Sequence, residues 1–426
     1  MNPSLTRRML VTGGLAAVGL LAMDNVHPPE NTLRTIDTVL GRPPDRDPLS
    51  VAMLDVHADR MQTLLPELEL LINRRISVEA RSADDLYAAY TIDLLQQTGR
   101  FDVVSMVDAW MPYFGRRGYL ADVPNLGADP TAHYPANVAA AAQGIDGSAL
   151  VAYPWTLTTT CCLGNAAVAP IQFKTWSDFF QNNPDDSGIP TGIALGTTEA
   201  AAMAFRATML SFGEDLVAPQ TNLPTMDSYA ANRSVEILRR LARRTPADVA
   251  LRQIGSDLVA QARAGTLASA LFVDMIESRP LWPSPTWRSA LVPPSRFGTG
   301  AADLSVWMLG IPAGAPNLET ARLLVELINS PAIQMRLWPE AGLIPTLRDV
   351  LQGEWAPDAA ALEVTIMQAL GSAVLWPRIR SFRTLMQIAG EMVRTAIQGG
   401  EIPTLLAAAQ AEMLAELTQE NELSGR

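Results

Sequence analysis

The stretch from Phe101 to Asp122, FDVVSMVDAWMPYFGRRGYLAD, constrains the fold more than any other part of the 426-residue chain. Its first part, Phe101 to Met106, is a short apolar run between polar residues, which is typical of a strand buried in a parallel sheet. Asp108 and Trp110 follow this strand directly. Open α/β sheets bind ligands in the crevice outside the carboxyl ends of their strands. The stretch therefore predicts a cleft into which Asp108 and Trp110 point.

The residues before this stretch alternate between predicted strands and predicted helices. Apolar runs predict strands at Leu49–Leu54 and Ile76–Ala80. Apolar residues at helical spacing predict helices at Met61–Ile72 and Ala83–Gln97. Together with the strand that opens at Phe101, this order predicts a parallel sheet whose strands are joined by right-handed crossovers.

The first 48 residues read as a targeting segment and a linker. In residues 1–22 the pair Arg7-Arg8 precedes an apolar run that ends at Ala22, which predicts an export signal of the twin-arginine type. The run is short and rich in glycine and alanine, so it does not predict a membrane span. Two leucines precede Ala22 where a cleavage site favours small residues, which leaves an uncleaved N-terminal anchor as the alternative. Prolines and charges in residues 23–48 predict an extended linker.

Composition places the chain among two-domain globular proteins. Its length suits two domains, and 48% hydrophobic with 18% charged residues supply an ample core. The formal net charge of -12 argues against nucleic acid and against an anionic membrane surface as partners. Cys161 and Cys162 are adjacent and cannot form a disulfide framework, which leaves a vicinal disulfide or, as we expect, two small buried residues.

Signatures of catalysis and of cofactor binding are weak in the sequence. Its three histidines, His27, His57 and His133, have no metal-ligand spacing, so no metal is expected. The chain has neither a Gly-x-Ser-x-Gly elbow nor a phosphate-binding glycine-rich loop after a strand. We therefore expect neither a cofactor nor an enzyme.

Five motifs, the first of them within the Phe101–Asp122 stretch, resemble in their order the bacterial extracellular solute-binding proteins of family 1, which feed sugars to ABC importers. They are Asp102-Val103-Val104, Tyr153-Pro154-Trp155, Lys174-Thr175-Trp176-Ser177-Asp178, LSVWMLGIP from Leu304 to Pro312, and Gly342-Leu343-Ile344-Pro345-Thr346. The resemblance extends from Leu49 to Leu417. It departs from the family at Cys162-Leu163-Gly164-Asn165, where members usually have a Tyr-Asn-(Lys/Arg) sequence.

The resemblance implies a periplasmic-binding-protein-like α/β fold, in which two α/β lobes enclose a ligand cleft and are joined by multiple hinge crossings. Lobe one would comprise residues 49–155 and 300–351, and lobe two residues 156–299 and 352–417. The implied protein is a periplasmic monomer. It would bind a sugar, an oligosaccharide or a polyol and deliver it to the permease subunits of an ABC transporter.

A carbohydrate site needs aromatic faces and polar groups that hydrogen-bond hydroxyls. Strand ends and one loop supply the predicted ligand-binding residues Asp55, His57, Asp108, Trp110, Trp155, Asp274, Trp307, Trp376 and Arg378. Several have structural alternatives: capping or turn formation for the residues at Asp55, His57 and Asp274, and packing for Trp155 and Trp307.

Two other functions stay open from the sequence. A secreted carbohydrate hydrolase would use Asp55 and Asp108 as its pair of carboxylates. A periplasmic sensory protein would present its closed form to a receptor instead of a permease.

Overall fold

The computed structural model describes residues 47–424, apart from 116–117, 123–131, 144–149, 169–173, 184–187, 189, 283, 285, 296–300 and 354–359. The predicted export signal, residues 1–22, and nearly all of the predicted linker, residues 23–48, lie outside the described residues. Within the described part of the chain, no helix has the length and apolar character needed to cross a membrane.

The strands are β1 (Leu49–Leu54), β2 (Ile76–Arg81), β3 (Val103–Val107), β4 (Tyr153–Thr158), β5 (Thr160–Asn165), β6 (Thr191–Ile193), β7 (Val217–Ala218), β8 (Leu223–Pro224), β9 (Ser269–Asp274), β10 (Trp287–Leu291), β11 (Ala302–Asp303), β12 (Ser305–Gly310) and β13 (Ala373–Val374). The α-helices are α1 (Asp55–Met61), α2 (Leu65–Ile72), α3 (Ala83–Gln96), α4 (Met111–Phe114), α5 (Ala136–Ala142), α6 (Trp176–Asn182), α7 (Thr198–Ser211), α8 (Tyr229–Ala242), α9 (Ala247–Ala250), α10 (Gly255–Arg263), α11 (Leu318–Ile328), α12 (Pro331–Arg336), α13 (Arg348–Leu351), α14 (Ala360–Ser372), α15 (Phe382–Ile397) and α16 (Ile402–Ser424). Short 3₁₀ turns occupy Asp108–Trp110 and Arg279–Leu281, and one π turn occupies Leu337–Ala341.

The first lobe is built around a five-stranded sheet with the order β2-β1-β3-β12-β4. β1 pairs in parallel with β2 and with β3, which confirms the parallel start predicted from the sequence. β12 then runs antiparallel to both β3 and β4, so the complete sheet is mixed.

The helical segment after β1 differs from the single helix predicted over Met61–Ile72. The helix α1 begins at Asp55, directly after the strand, and ends at Met61. A second helix, α2, then begins with Pro66 in its first turn. Proline has no N–H to donate and its ring clashes with the carbonyl of the preceding turn, so it starts a helix more readily than it continues one.

The second lobe contains a four-stranded sheet with the order β10-β5-β9-β6. β9 pairs in parallel with β6 and antiparallel with β5. Cys161 and Cys162 lie in β5 as free, buried thiols, as expected for two small core residues. Successive side chains of a strand point to opposite faces, so the two thiols enter different hydrophobic clusters.

Close helix packing completes the second lobe. α15 crosses the start of α7 at Gly390, where a Cβ atom would lie 2.0 Å from the carbonyl oxygen of Thr198. Glycine is therefore required at this position for the two helices to approach each other.

The two sheets are joined by strands. β4 ends at Thr158 in the first sheet and β5 begins at Thr160 in the second, so Thr159 alone separates them. Beside this crossing, β11 pairs in parallel with β13. The Asp303 carboxylate at the end of β11 accepts hydrogen bonds from the Thr160 N–H (3.2 Å) and hydroxyl (2.8 Å). These features confirm the predicted architecture of two α/β lobes joined by more than one crossing.

Candidate functional site: a cleft between the lobes

A cleft with a volume of about 830 Å³ lies between the two sheets. Its walls are formed where strands end: Asp55 follows β1, Trp110 follows β3, and Asp274 is the last residue of β9. This is the position at which α/β sheets place ligands, and the volume is within the range of small-molecule pockets.

The structure brings most of the predicted binding residues to this cleft. Six of them line it, namely Asp55, His57, Trp110, Asp274, Trp307 and Trp376. Asp108, Trp155 and Arg378 are not among the lining residues. Trp155 is fully buried in β4, and Arg378 donates to the Ala140 carbonyl oxygen (2.7 Å) at the protein surface.

Trp110 belongs both to the cleft wall and to the core of the first lobe. It is 8% exposed. The rings of Tyr87 and Trp307 lie nearly perpendicular to it, with centroids at 5.5 and 6.0 Å. Edge-to-face pairs at these distances are favourable, so the indole is held firmly in place.

His57 lies in the same wall as a neutral imidazole. Its ring is 1% exposed and packs edge-on against Trp307 at 4.7 Å and Trp155 at 5.3 Å. Burial lowers the pKa of His57 to about 3, because the charged form is poorly hydrated there. Among the described residues, His57 Nδ1 has no hydrogen-bond partner.

Asp108 connects structural elements behind the cleft. Its Oδ1 accepts a hydrogen bond from the Val306 N–H at 3.1 Å, and the backbone of Trp376 also donates to its carboxyl group. Burial raises the pKa of Asp108 to about 7, against the opposing effect of these hydrogen bonds and of the nearby Arg206. The residue therefore ties β12 to the Trp376 segment.

Trp376 is fixed from behind by a buried cation. Its Nε1 donates to the Ser305 hydroxyl at 2.9 Å. The guanidinium carbon of Arg206 lies 4.1 Å from the ring centre, within the distance of a cation–π contact. Arg206 is completely buried and forms a bidentate pair with Asp215, with both hydrogen bonds at 2.8 Å.

Carboxylates that we did not predict also line the cleft. Glu277 follows Asp274 at the end of β9, and Glu199 lies in the first turn of α7, which follows β6. The strand-end rule that identified Asp108 applies equally to these two sites, so the sequence did contain the signal.

The environment of these carboxylates disfavours their charged forms. Burial raises the pKa of Asp274 to about 6 and that of Glu277 to about 7, and the Asp274 charge adds to the shift of Glu277. Loss of hydration within the cleft also raises the pKa of Glu199, and the negative charge of Asp84 raises it further. The Glu199 side chain nevertheless keeps contact with solvent. Within the described ranges, no group of three or more His, Cys, Asp or Glu side chains could hold a metal ion.

Comparison with known families identifies the protein class. The model of the family described as bacterial extracellular solute-binding protein matches residues 72–364. The chain belongs to this family. Its members are binding proteins that act outside the cytoplasm, as their description states. No curated protein sequence is significantly similar to this chain.

Solved structures of solute-binding proteins share the fold of this family member. Maltose-bound MalE3 of T. maritima is 16% identical, with a TM-score of 0.75 over 86% of this chain and 98% of its own. An α-D-tagatose complex from Thermotoga lettingae is 18% identical, with a TM-score of 0.73 over 87% and 99%. A ribitol complex from Agrobacterium radiobacter is 16% identical, with a TM-score of 0.74 over 88% and 99%.

Proposed function

We propose that this solute-binding protein captures a sugar, an oligosaccharide or a polyol between its lobes and delivers it to the permease of an ABC transporter. The observation that carries the proposal is the cleft wall itself, in which Trp110, Trp307 and Trp376 accompany several carboxylates. Solved structures of the same fold contain maltose, α-D-tagatose, ribitol and D-mannitol.

The cleft residues divide the binding task by their chemistry. Indole rings offer flat apolar surfaces to the C–H faces of sugar rings. The carboxylates of Asp55 and Asp274 accept hydrogen bonds from ligand hydroxyls, and such charge-assisted bonds are stronger than neutral ones. Because these groups belong to different lobes, one ligand that contacts both stabilises the closed form.

The predicted binding residues outside the cleft have supporting roles in this proposal. Asp108 holds the segment that carries Trp376, and Trp155 packs against His57 from behind. Arg378 attaches the same segment to the end of α5 through its hydrogen bonds to Ala140 and Gln143.

The cellular setting follows from the same proposal. The arginine pair in residues 1–22 would direct the folded protein to the periplasm, where it acts as a monomer. We place the lobe boundaries at residues 49–155 with 300–351 and at 156–299 with 352–417. β4 ends at Thr158 and β5 begins at Thr160, so the passage between the two sheets lies close to the proposed boundary at residues 155–156 and supports it.

A ligand screen by thermal shift tests the proposal. A sugar or polyol at about 100 times its dissociation constant should stabilise the protein by about 2.7 kcal/mol. Calorimetry should then give one ligand per protein, and the ligand should be recovered unchanged. Replacing Trp376 with leucine should weaken this binding, whereas replacing Trp176, which packs outside the cleft, with phenylalanine should leave it intact.

The outcomes separate the proposal from its two alternatives. Release of a shortened product would favour the hydrolase, although Asp108 is engaged with the backbone of Val306 outside the cleft lining. A neighbouring sensor-kinase gene, together with unchanged ligand uptake in a deletion strain, would favour the sensory protein. Failure of every carbohydrate and polyol to bind would refute the proposal.

A further inference from the structure

The side chains that line the cleft include many more acidic groups than basic ones. Five carboxylates face it, from Asp55, Asp84, Glu199, Asp274 and Glu277. Among the described lining residues, the guanidinium of Arg383 is the one cation, since burial keeps His57 neutral.

The cation in the cleft is already engaged. Arg383 forms an ion pair with Asp84, and its guanidinium carbon lies 4.8 Å from the ring centre of Tyr87. The charges of Arg383 and Asp84 therefore compensate each other. Asp55 and the pair at the end of β9 have no cation opposite them among the described lining residues, and Glu199 shares the charge of Arg383 with Asp84.

The carboxylates at the end of β9 are held in place by the fold. Asp274 Oδ1 accepts hydrogen bonds from the Thr158 hydroxyl and from the Ile276 N–H (2.8 Å). Glu277 lies against the first turn of α10, where the Ser256 N–H donates to it. A Cβ atom on Gly255 would lie 1.8 Å from Glu277 Oε2, so glycine at this position leaves room for the carboxylate.

The crowding of these groups has an energetic consequence. Burial and the charge of Asp274 raise the pKa of Glu277 to about 7, and the charge of Asp257 acts in the same direction. A bound cation would lower the pKa of Glu277 again, because an opposite charge within a few ångströms favours the ionised carboxylate. Tryptophan faces in the same cleft also attract cations.

His57 provides an independent indication of the ligand. Its buried ring lies in the cleft wall and its Nδ1 has no partner among the described residues. A hydroxyl group can pair with this nitrogen in either tautomer of the imidazole, because it can both donate and accept a hydrogen bond. An ammonium group can only donate.

We infer that the ligand is a positively charged carbohydrate, an amino sugar or an aminocyclitol, whose ammonium group lies among the carboxylates Glu199, Asp274 and Glu277. This inference rests on the proposed function and narrows its ligand class. The hydroxyl groups and C–H faces contact His57 and the tryptophans, while the amino group distinguishes the ligand from neutral sugars.

A matched series of disaccharides tests the inference. Cellobiose, N,N′-diacetylchitobiose and the glucosamine disaccharide of chitosan share one linkage and differ at C2, which bears a hydroxyl, an acetamido or an ammonium group. Calorimetry at neutral pH should show that the ammonium form binds about tenfold more tightly than cellobiose or better, the range for a hydrogen bond to a charged group. Added salt should reduce this preference.

Single amide variants connect the preference to the cleft. Glu277→Gln, which keeps an acceptor for the Ser256 N–H, and Asp274→Asn should each lower the ammonium preference severalfold. Glu319→Gln is the control, because it changes the net charge equally at an exposed site outside the cleft. Melting temperatures verify that each variant is folded.

Two results would overturn the inference in different ways. If only neutral sugars or polyols bind, in this series or in the wider screen, the charge assignment is wrong and the proposed function stands. If neither neutral nor amino carbohydrates bind, the proposed function fails as well. An ammonium preference that survives in both Glu277→Gln and Asp274→Asn would refute the assigned position.

Discussion

Replacing Trp110 with alanine should weaken both the fold and ligand binding, because the indole belongs to the core and to the cleft wall. The side chain is 8% exposed and contacts the rings of Tyr87, Tyr90 and Trp307 edge-on at centroid distances between 5.5 and 6.1 Å. Truncating a buried tryptophan costs about 3–5 kcal/mol. Since the ring borders an open cleft, the loss should lie near the lower limit, at about 3 kcal/mol.

The same substitution should reduce ligand affinity by about 1–3 kcal/mol, the contribution of a well-buried apolar side chain. Chemical denaturation without ligand measures the loss of stability, and calorimetry on the folded variant measures affinity. Trp110→Phe is the control, because it retains an aromatic ring and should retain most of both quantities.

Two results would contradict this reasoning. A stability loss below about 1 kcal/mol would mean that the aromatic contacts add little to the fold. A large stability loss with unchanged affinity would show that Trp110 acts only in the core and that the proposed stacking face is elsewhere.

Three further sets of substitutions test other features. Arg206→Met should lower the free energy of unfolding by about 3–5 kcal/mol, because it leaves the Asp215 carboxylate buried without its partner; adding Asp215→Asn should recover most of this loss in chemical denaturation. Gly390→Ala should lower the melting temperature, since its Cβ would lie 2.0 Å from a carbonyl oxygen of α7, whereas Gly371→Ala, with nothing within 4 Å, should stabilise the protein by about 0.5–1 kcal/mol. The pKa of His57 in the folded protein is about 3, below its ordinary value of 6.5. As the pH falls from 6.5 towards 3, His57 is therefore protonated in the unfolded state but not in the folded state, which favours unfolding. The wild type should therefore lose about 1.4 kcal/mol per pH unit below 6.5 relative to a His57→Gln variant, and parallel pH profiles of the two proteins would refute this origin.

The sequence predicted the order of elements well where hydrophobic pattern and local signals agree. α3 begins after Ser82, whose hydroxyl accepts the Asp85 N–H at 3.2 Å, and the predicted helix agrees with it to one residue at its end. The division between α1 and α2 was missed because apolar spacing continues across it. The position of Pro66 was the available signal.

The sequence predicted where the cleft lies but only part of the set of residues that line it. The strand-end rule located the cleft, yet a residue after a strand can turn either way. Asp108 and Trp110 begin and end one 3₁₀ turn, and Trp110 lines the cleft while Asp108 bonds to Val306. Hydrophobic periodicity does not show which of the two residues faces the cleft. The direction of each side chain depends on which backbone N–H groups of distant strands need an acceptor.

The passage from β4 to β5 through Thr159 limits where the backbone can bend at this crossing between the lobes. Both neighbouring strands are fixed in their own sheets, and Thr159 itself donates to the Asp303 carbonyl oxygen at 2.6 Å and accepts from the Met275 N–H at 3.1 Å. At this crossing, a change in the angle between the two sheets therefore falls on the few backbone bonds next to Thr159. Because the two sheets meet so closely here, such a change would alter the width of the cleft mouth more than the separation of the sheets at the crossing. The thickness of a bound ligand would then set how far the lobes close.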